Sequence, residues 1–179
     1  MGKMMGAMFR AAGAAWRGLA VLAIAGSLAT AAEAKKAKVG EPAPKFTLVT
    51  YEGDKIEQES LRGKVVVLNY WATWCAPCLK EMPLFNVFQR RLRDHGLAIY
   101  AVATEDSVPP KHLKKIKDQF EFTMVRSLRG LAYGILGGVP TSYVIDRNGI
   151  VRYAKAGAFD LDTLNALLLP LLREAPPAD

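Results

Sequence analysis

Cysteine and histidine are scarce in this chain of 179 residues, which contains two of each. A structural zinc site usually takes four Cys or His ligands at suitable spacing, and His95 and His112 stand alone in the sequence, as is typical of surface residues. Attachment of haem requires His directly after the second cysteine of a Cys-x-x-Cys pair, and Leu79 occupies that position. Two possibilities stay open for Cys75 and Cys78, a redox pair or a thiolate site for a soft metal.

The chain also lacks internal repeats and low-complexity tracts, and its hydrophobic fraction of 51% is ordinary for a globular protein. The formal net charge is +7. Its Lys and Arg residues are spread along the chain, and the densest group, within residues 111–117, has the spacing of one exposed helix face. We therefore interpret the charge as a solvated surface and expect no nucleic-acid partner.

The first 34 residues have the order of a secretory signal, with a few basic residues, an apolar run and small residues. Gly18 to Ala32 contains no charge, and 32–34 has the small-x-small form of a cleavage site. The uncharged run has 15 residues, which is shorter than the roughly 20 that span a bilayer. This favours a cleaved signal peptide at 1–34, with an uncleaved membrane anchor as the alternative.

A signal peptide and an anchor would both export the domain after them, so we expect a periplasmic or other extracytoplasmic location, with a membrane tether if the leader is retained. Residues 35–44 are polar and contain two prolines, which predicts a linker. Residues 45–175 then form one folded domain, and 176–179 is a tail. The length after the leader is sufficient for a single buried core.

β-branched apolar runs predict seven strands, and apolar residues at helical spacing predict three helices. The predicted strands are Phe46 to Thr50, Lys55 to Glu57, Val65 to Tyr70, Leu97 to Ala103, Phe122 to Val125, Ser142 to Ile145 and Ile150 to Ala154. The predicted helices are Leu79 to His95, Pro109 to Phe120 and Leu161 to Leu172, with one helical turn at Leu131 to Ile135. The central strand–helix–strand unit implies parallel strands with a right-handed crossover, and the hairpins add antiparallel pairs. This order predicts an α/β sheet of mixed direction with helices on both faces.

The cysteine pair comes directly after a predicted buried strand and opens a helix. The free N–H groups and the positive dipole end at a helix N-terminus favour a thiolate on Cys75, which is the attacking species in disulfide exchange. The spacing allows the thiol of Cys78 to reach a mixed disulfide formed by Cys75. Pro77 suits the first helical turn, because the N–H that it lacks needs no partner there. A purely structural disulfide would close too small a loop to stabilise the fold much.

At this point the sequence resembles the TlpA/ResA-like branch of the thioredoxin superfamily, close to the redoxin group. The similar segments are Val39-Gly40-Glu41-Pro42-Ala43-Pro44, residues 61–78 with Trp74-Cys75-Ala76-Pro77-Cys78 at their end, Glu81-Met82-Pro83, Val139-Pro140-Thr141 and Ile145-Asp146-Arg147-Asn148-Gly149. The resemblance implies a thioredoxin-like fold with a mixed central β-sheet, helices on both of its faces and an N-terminal β-hairpin extension.

The resemblance also implies roles for individual residues. Cys75 is expected to be the exposed attacking thiol and Cys78 the buried resolving thiol, with Trp74 shielding the disulfide. Pro140 resembles the cis-proline of the family, whose bond would let the backbone of Val139 pair with an extended client segment.

Two further positions concern proton handling. Glu81 matches the acidic residue of the family's Cys-x-x-x-Glu-x-Pro pattern and is expected to tune a thiol; the alternative is a surface charge on the helix. Asn69 stands where thioredoxin carries a buried acid. Because an amide cannot relay protons as that acid does, proton handling here is expected to differ.

The resemblance favours a reductase of disulfides in exported proteins such as apocytochrome c or copper-site proteins, supplied with electrons by a membrane thiol reductant. Ala76-Pro77 lacks the His that often marks strong oxidants, which disfavours the alternative of a disulfide oxidase or isomerase. A second alternative is a protein that binds Cu(I) between two thiolates. We expect a monomer that needs no cofactor beyond the redox-active Cys75–Cys78 disulfide and no resident metal.

Overall fold

The computed structural model describes residues 36–105 and 107–177, so the predicted leader at 1–34 lies outside the described residues. The strands are β1 (Thr47–Thr50), β2 (Lys55–Glu57), β3 (Val65–Trp71), β4 (Leu97–Ala103), β5 (Thr123–Arg129), β6 (Thr141–Ile145) and β7 (Val151–Ala156). The helices are α1 (Ala76–Leu92), α2 (Pro110–Ile116) and α3 (Leu161–Arg173), with 3₁₀-helices at Gln58–Leu61, Arg93–His95 and Lys117–Gln119. Within the described ranges, no helix is long and apolar enough to cross a bilayer.

The strands form one seven-stranded sheet in the order β2-β1-β5-β4-β3-β6-β7. β3, β4 and β5 are parallel, while the hairpin β1–β2 and the strands β6 and β7 add antiparallel pairs. β3 lies between β4 and β6, and its first five residues are all buried, which explains the unbroken apolar run in its sequence. The predicted mixed sheet with its N-terminal hairpin is confirmed.

Alternate residues of β3 belong to two separate clusters of the core. Val65 and Val67 pack on the face that we call the helical face, and Val66 and Leu68 pack on the other. The α-helices all contribute buried side chains to the helical face, among them Phe85 from α1, Leu113 from α2 and Leu164 from α3. The cysteines lie in this same cluster, so the helical face is the one that supports the redox pair.

Among the described residues, the opposite face has helical cover only from the 3₁₀-helix that ends at Leu61. The loop after β5 covers much of the remainder: the ring of Tyr133 packs edge-on against Phe46 at 5.3 Å between centroids. The Tyr133 hydroxyl also donates to the carbonyl oxygen of Pro44 at 2.8 Å. The helical turn predicted at 131–135 is wrong, because this segment is an irregular loop that wraps over the sheet.

The segment predicted to be a linker, described from residue 36, runs along the domain. The Ala37 N–H donates to the carbonyl oxygen of Ala132 at 3.1 Å, and the Gly40 N–H donates to that of Val151 at 2.8 Å. These bonds place the segment against the loop after β5 and the free edge of β7. Backbone pairing of this kind needs no particular side chains, so polar composition did not reveal it.

The side chain of Gln89 ties α1 to the start of β4. Its Nε2 donates to the carbonyl oxygen of Leu97 at 3.1 Å, and its Oε1 accepts from the N–H of Ile99 at 2.8 Å. The pairing of β4 with β5 begins only at Tyr100. The Gln89 amide therefore satisfies backbone groups of β4 at the point where a neighbouring strand has not yet begun.

Arg147 holds together the end of the domain at which β3 begins. The residue is 7% exposed, and its guanidinium donates to three carbonyl oxygens, those of Gly63 at 2.6 Å, His95 at 2.7 Å and Leu172 at 2.9 Å. Gly96 lies directly beneath it with φ of 86°, and a Cβ there would lie 2.8 Å from Nη1 of Arg147. The close approach of the guanidinium and the left-handed backbone both require glycine at this position.

Candidate active site

The end of β3 and the start of α1 together position the cysteine pair. Cys75 is the N-cap residue of α1, and its Sγ accepts a hydrogen bond from the Cys78 N–H at 3.2 Å. Pro77 lies in the first turn of the helix, where no N–H partner is needed. α1 begins at Ala76, three residues before the predicted start, because Cys75 itself supplies the capping atom.

Cys75 and Cys78 form a disulfide with an S–S distance of 2.07 Å and a Cα–Cα distance of 5.3 Å. Cys75 is 4% exposed and Cys78 is fully buried. The expectation of an exposed Cys75 is therefore not met in the disulfide form. The carbonyl oxygen of Val139 lies 3.5 Å from Cys75 Sγ and covers it on one side, whereas Trp74, the residue before Cys75 in the chain, is 61% exposed.

The loop before β6 brings Val139 to the disulfide, although Val139 and Cys75 are 64 residues apart in the chain. The Val139–Pro140 peptide bond is cis, as expected. The carbonyl oxygen of Pro140 accepts from the Gly157 N–H at 2.8 Å, and the Thr141 hydroxyl donates to the Gly138 carbonyl oxygen at 2.6 Å. These bonds fix the loop on both sides of the proline.

Glu81 lies one helical turn after Cys78 and is 2% exposed, which excludes the alternative of a surface charge. Its Oε1 accepts from Nδ2 of Asn69 at 2.9 Å, and its Oε2 accepts from the Phe159 N–H at 3.0 Å. Burial raises the pKa of Glu81 to about 7, although the two hydrogen bonds favour the ionised form and act in the opposite direction. The site thus contains a carboxyl group that exchanges its proton near neutral pH.

Ser142 is a member of this network that the sequence did not reveal. Asn69 Nδ2 donates to the Ser142 hydroxyl oxygen at 3.0 Å as well as to Glu81. The contact follows from the antiparallel register of β3 and β6, in which Asn69 and Ser142 are direct partners. Ser142 could have been assigned to the site only if the register of β3 with β6 had been known, and the sequence pattern does not determine that register. Tyr153 also lies close by, and burial together with the Glu81 charge raises its pKa.

The loop after β4 is bonded to the loop that carries the cysteines. The Thr104 N–H donates to the Trp71 carbonyl oxygen at 2.9 Å. The Thr73 N–H donates to the Ser107 hydroxyl at 3.2 Å, and the Val108 N–H donates to the Thr73 hydroxyl at 3.3 Å. These bonds join the two loops at the carboxyl ends of the parallel strands, where α/β sheets usually place their sites.

Of the eight residues singled out from the sequence, the structure joins Cys75 to Cys78 and to Val139, and it joins Asn69 to Glu81. Trp74 and Pro77 adjoin the cysteines in the chain, and Pro140 follows Val139 through a cis bond. Among residues 36–105 and 107–177, no three His, Cys, Asp or Glu side chains are grouped so that they could hold a metal ion.

Residues 39–154 match the profile of the AhpC/TSA family. The chain belongs to this family. It is 37% identical over 122 residues to the thiol-disulfide oxidoreductase ResA of Bacillus cereus, an alignment that covers 67% of this chain and 70% of that protein. It is 33% identical over 155 residues to the thiol:disulfide interchange protein DsbE of Pseudomonas fluorescens biotype C, covering 82% and 84% of the two chains.

A solved structure of a thiol:disulfide interchange protein of the thioredoxin family from Chlorobium tepidum TLS superposes with a TM-score of 0.62 at 26% identity, covering 79% of this chain and 99% of that one. Together with the Cys75–Cys78 disulfide at the start of α1, these similarities identify a TlpA/ResA-like thiol–disulfide oxidoreductase of thioredoxin-like fold.

Proposed function

We propose that this oxidoreductase is exported and reduces disulfides in extracytoplasmic proteins. The observation that carries the proposal is the position of Cys75, which caps α1 beside the Val139 backbone, with Cys78 fully buried behind it. The capping N–H of Cys78 and the helix dipole both favour a thiolate on Cys75 once the disulfide is reduced. The pair Ala76-Pro77, without His, supports reduction of clients over oxidation.

In the proposed reaction, the Cys75 thiolate attacks one sulfur of a client disulfide. A mixed disulfide forms between Cys75 and the client, and the other client sulfur leaves as a thiolate. Cys78 then loses its proton and attacks Cys75 Sγ, which releases the second client thiolate and leaves the Cys75–Cys78 disulfide seen here. Two electrons pass from the enzyme to the client in each cycle.

Glu81 is the group that we assign to accept the proton from Cys78. It comes three residues after Cys78 on α1, so both side chains lie on the same side of the helix. A carboxyl group with a pKa of about 7 has an affinity for the proton suited to exchange at neutral pH. Asn69 holds the carboxylate in place but does not exchange a proton itself.

The client segment is proposed to lie in extended form against the backbone of Val139, between the fixed loop of Pro140 and the exposed ring of Trp74. In this arrangement Trp74 shields the mixed disulfide from water. An extended segment presents its backbone regardless of sequence, so this contact alone accommodates many clients.

The electron donor in this proposal is a membrane thiol reductant, and the clients are proteins such as apocytochrome c or copper-site proteins. Support comes from the relatives named thiol-disulfide oxidoreductase and thiol:disulfide interchange protein, and from the leader-like sequence at 1–34. The protein acts as a monomer, free or tethered by its N-terminus.

The reduction potential of the Cys75–Cys78 pair tests the direction of electron flow. We expect equilibration with dithiothreitol or glutathione to give about −250 mV or lower, in the range of thioredoxin. A value near about −120 mV would instead make the protein an oxidant of its clients and contradict the proposal.

Single cysteine variants test the order of attack. We expect Cys75→Ser to abolish the reduction of insulin disulfides, and Cys78→Ser to accumulate mixed disulfides that appear on non-reducing gels. The buried position of Cys78 behind Cys75 is the reason for this order. Accumulation of mixed disulfides in Cys75→Ser rather than in Cys78→Ser would reverse the assigned roles.

A further inference from the structure

A cleft of about 450 Å³ opens beside the loop that carries the cysteines. Its walls come from β1, β5, the loop after β4, and α2. Its apolar lining includes Val49, Ala103 and Leu113, and its polar lining consists of Tyr51, Thr104, Glu105, Arg126, Ser127 and Arg129. This volume lies toward the lower end of the range of ligand-binding clefts, and it is sufficient for one or two side chains of a bound polypeptide.

The cleft is the direct neighbour of the redox site across the sheet. Ala103, in its wall, is the register partner of Trp71, the last residue of β3. Adjacent strands lie about 4.8 Å apart. The bonds from Thr104 to Trp71 and from Val108 to Thr73 connect the rim of the cleft to the cysteine loop. A polypeptide bound at Cys75 therefore passes close to this cleft.

A β-bulge directs an arginine to the cleft. In the pairing of β1 with β5, Thr50 faces Val125 and Val49 faces Ser127, so that Arg126 is the extra residue. Bulges are frequent next to functional sites, where they re-aim a side chain. The Arg126 guanidinium is near enough to the Tyr51 hydroxyl for its charge to lower the pKa of that group, against the larger effect of burial.

The charge of the cleft is mainly positive. Arg126 and Arg129 both line it, and neither forms an ion pair within the described part of the chain. Glu105 also lines the cleft and opposes an anion. α2, which lines the cleft with Pro110 and Leu113, also carries the exposed Lys111 and Lys115, together with Lys114, which pairs with Glu52 at 3.8 Å.

We propose that this cleft binds an acidic segment of the client protein, with a carboxylate of the client on Arg126 and Arg129 and an apolar client side chain on Val49, Ala103 and Leu113. The inference rests on the proposed function, because it names the chemistry of the client at the same redox site. The cleft then selects clients whose disulfide is flanked by Asp or Glu, whereas the backbone contact at Val139 does not discriminate.

Two synthetic disulfide peptides, one flanked by Asp and Glu and the other by Lys, test the proposal with the full chain. We expect kcat/KM to be about three- to tenfold higher for the acidic peptide at low salt, mainly through KM, which is the scale of two exposed charge pairs. This preference should shrink at about 1 M salt, where the Debye length is about 3 Å.

The double variant Arg126→Gln/Arg129→Gln should lose most of the preference, while Arg90→Gln/Arg173→Gln removes the same charge away from the cleft and should keep it. Equal rates for both peptides in the wild-type protein would overturn the proposal, and so would a loss of preference of the same size in both double variants. If the first double variant fails to fold, the single variants Arg126→Gln and Arg90→Gln make the same comparison.

Two controls separate this inference from the proposed function. Reduction of the uncharged 2,2′-dipyridyl disulfide should be unchanged in both double variants; its absence in the wild-type protein would contradict the redox function itself. A cysteine-free version of the acidic peptide, titrated by calorimetry, measures binding without electron transfer. Its failure to bind more tightly than the cysteine-free basic peptide would contradict the cleft alone.

Discussion

Glu81 and Arg147 are two buried ionisable residues near opposite ends of β3, and they differ in their hydrogen-bond partners and in whether they can change charge. Glu81 is bonded to the N–H of Phe159 and to Asn69, with a pKa near neutrality. Arg147 donates to three carbonyl oxygens, and a guanidinium stays charged at every physiological pH. The Glu81 end of the sheet therefore has a charge that depends on pH near neutrality, whereas the Arg147 end has a permanent positive charge.

The difference reflects what each end does. The Arg147 end joins the turn before β3, the end of α1 and the end of α3, and a permanent cation suits the partial negative charge of helix C-termini. The Glu81 end carries the cysteine pair, and thiol–disulfide exchange requires a thiol to lose its proton. Burial of a carboxylate without a compensating cation is unfavourable, and this desolvation raises the pKa of Glu81 to about 7.

The largest effect is expected at the fixed end. Arg147→Met leaves three part-buried carbonyl oxygens without this donor and should lower the free energy of unfolding by about 3 kcal/mol. Urea unfolding of the oxidised protein measures it, with Arg90→Met as the control for loss of an exposed arginine. The rate at which the folded fraction reduces 2,2′-dipyridyl disulfide should be unchanged. A slower rate would show that Arg147 also affects the redox site at the opposite end of β3.

Glu81→Gln tests the titrating end through pH. In the wild-type protein, the folded state holds the Glu81 proton up to a pKa of about 7, whereas the unfolded state releases it near 4.5. Stability from this group is therefore highest below the unfolded pKa and falls as pH rises to about 7, by roughly 3 kcal/mol in total.

Gln cannot ionise, so the difference in unfolding free energy between Glu81→Gln and the wild-type protein should grow in favour of the variant from pH 4 to about 8. Urea unfolding across that range measures the difference. Parallel profiles for the two proteins would show that Glu81 titrates normally and would remove the contrast with Arg147.

The smallest effect is expected at Ser142. Ser142→Ala removes the hydrogen bond from Asn69 and should cost about 1 kcal/mol, equally at pH 5 and pH 8, because the Glu81 carboxylate keeps its own two donors. Asn69→Ala is the informative comparison. It removes a donor to Glu81, so it should raise the pKa of Glu81 further and steepen the loss of stability above pH 7. Identical pH profiles for the two variants would contradict the assigned geometry.

The sequence predicted the parts of the site that depend on local structure. The run of β-branched residues before Trp71 predicted β3, and the cysteine pair with Pro77 predicted the start of a helix, because capping and strand formation are decided within a few residues. The hydrogen-bond network around Glu81 could not be predicted in this way, because its members are distant in the chain. Ser142 lies 73 residues from Asn69 in the chain, and only the register of β3 with β6 joins them.

Arg147 shows the other limit of sequence reasoning. It lies in the short connection between the predicted strands Ser142 to Ile145 and Ile150 to Ala154, where a charged residue is normally solvated. Its burial depends on three segments that converge from distant parts of the chain, and on the missing side chain of Gly96. The attachment of the segment from residue 36 is out of reach of sequence reasoning for a similar reason, since it uses backbone atoms that every sequence has.

The amide of Gln89 sets a limit on how α1 can move during the redox cycle. It lies 14 residues after Cys75, about 20 Å along the helix. A slide or rotation of the whole helix would break two buried hydrogen bonds to β4, at a cost of about 1 kcal/mol each. The end of α1 that is remote from Cys75 is therefore held in place on β4 when the disulfide opens, and movement in response to reduction is expected between Cys75 and Gln89.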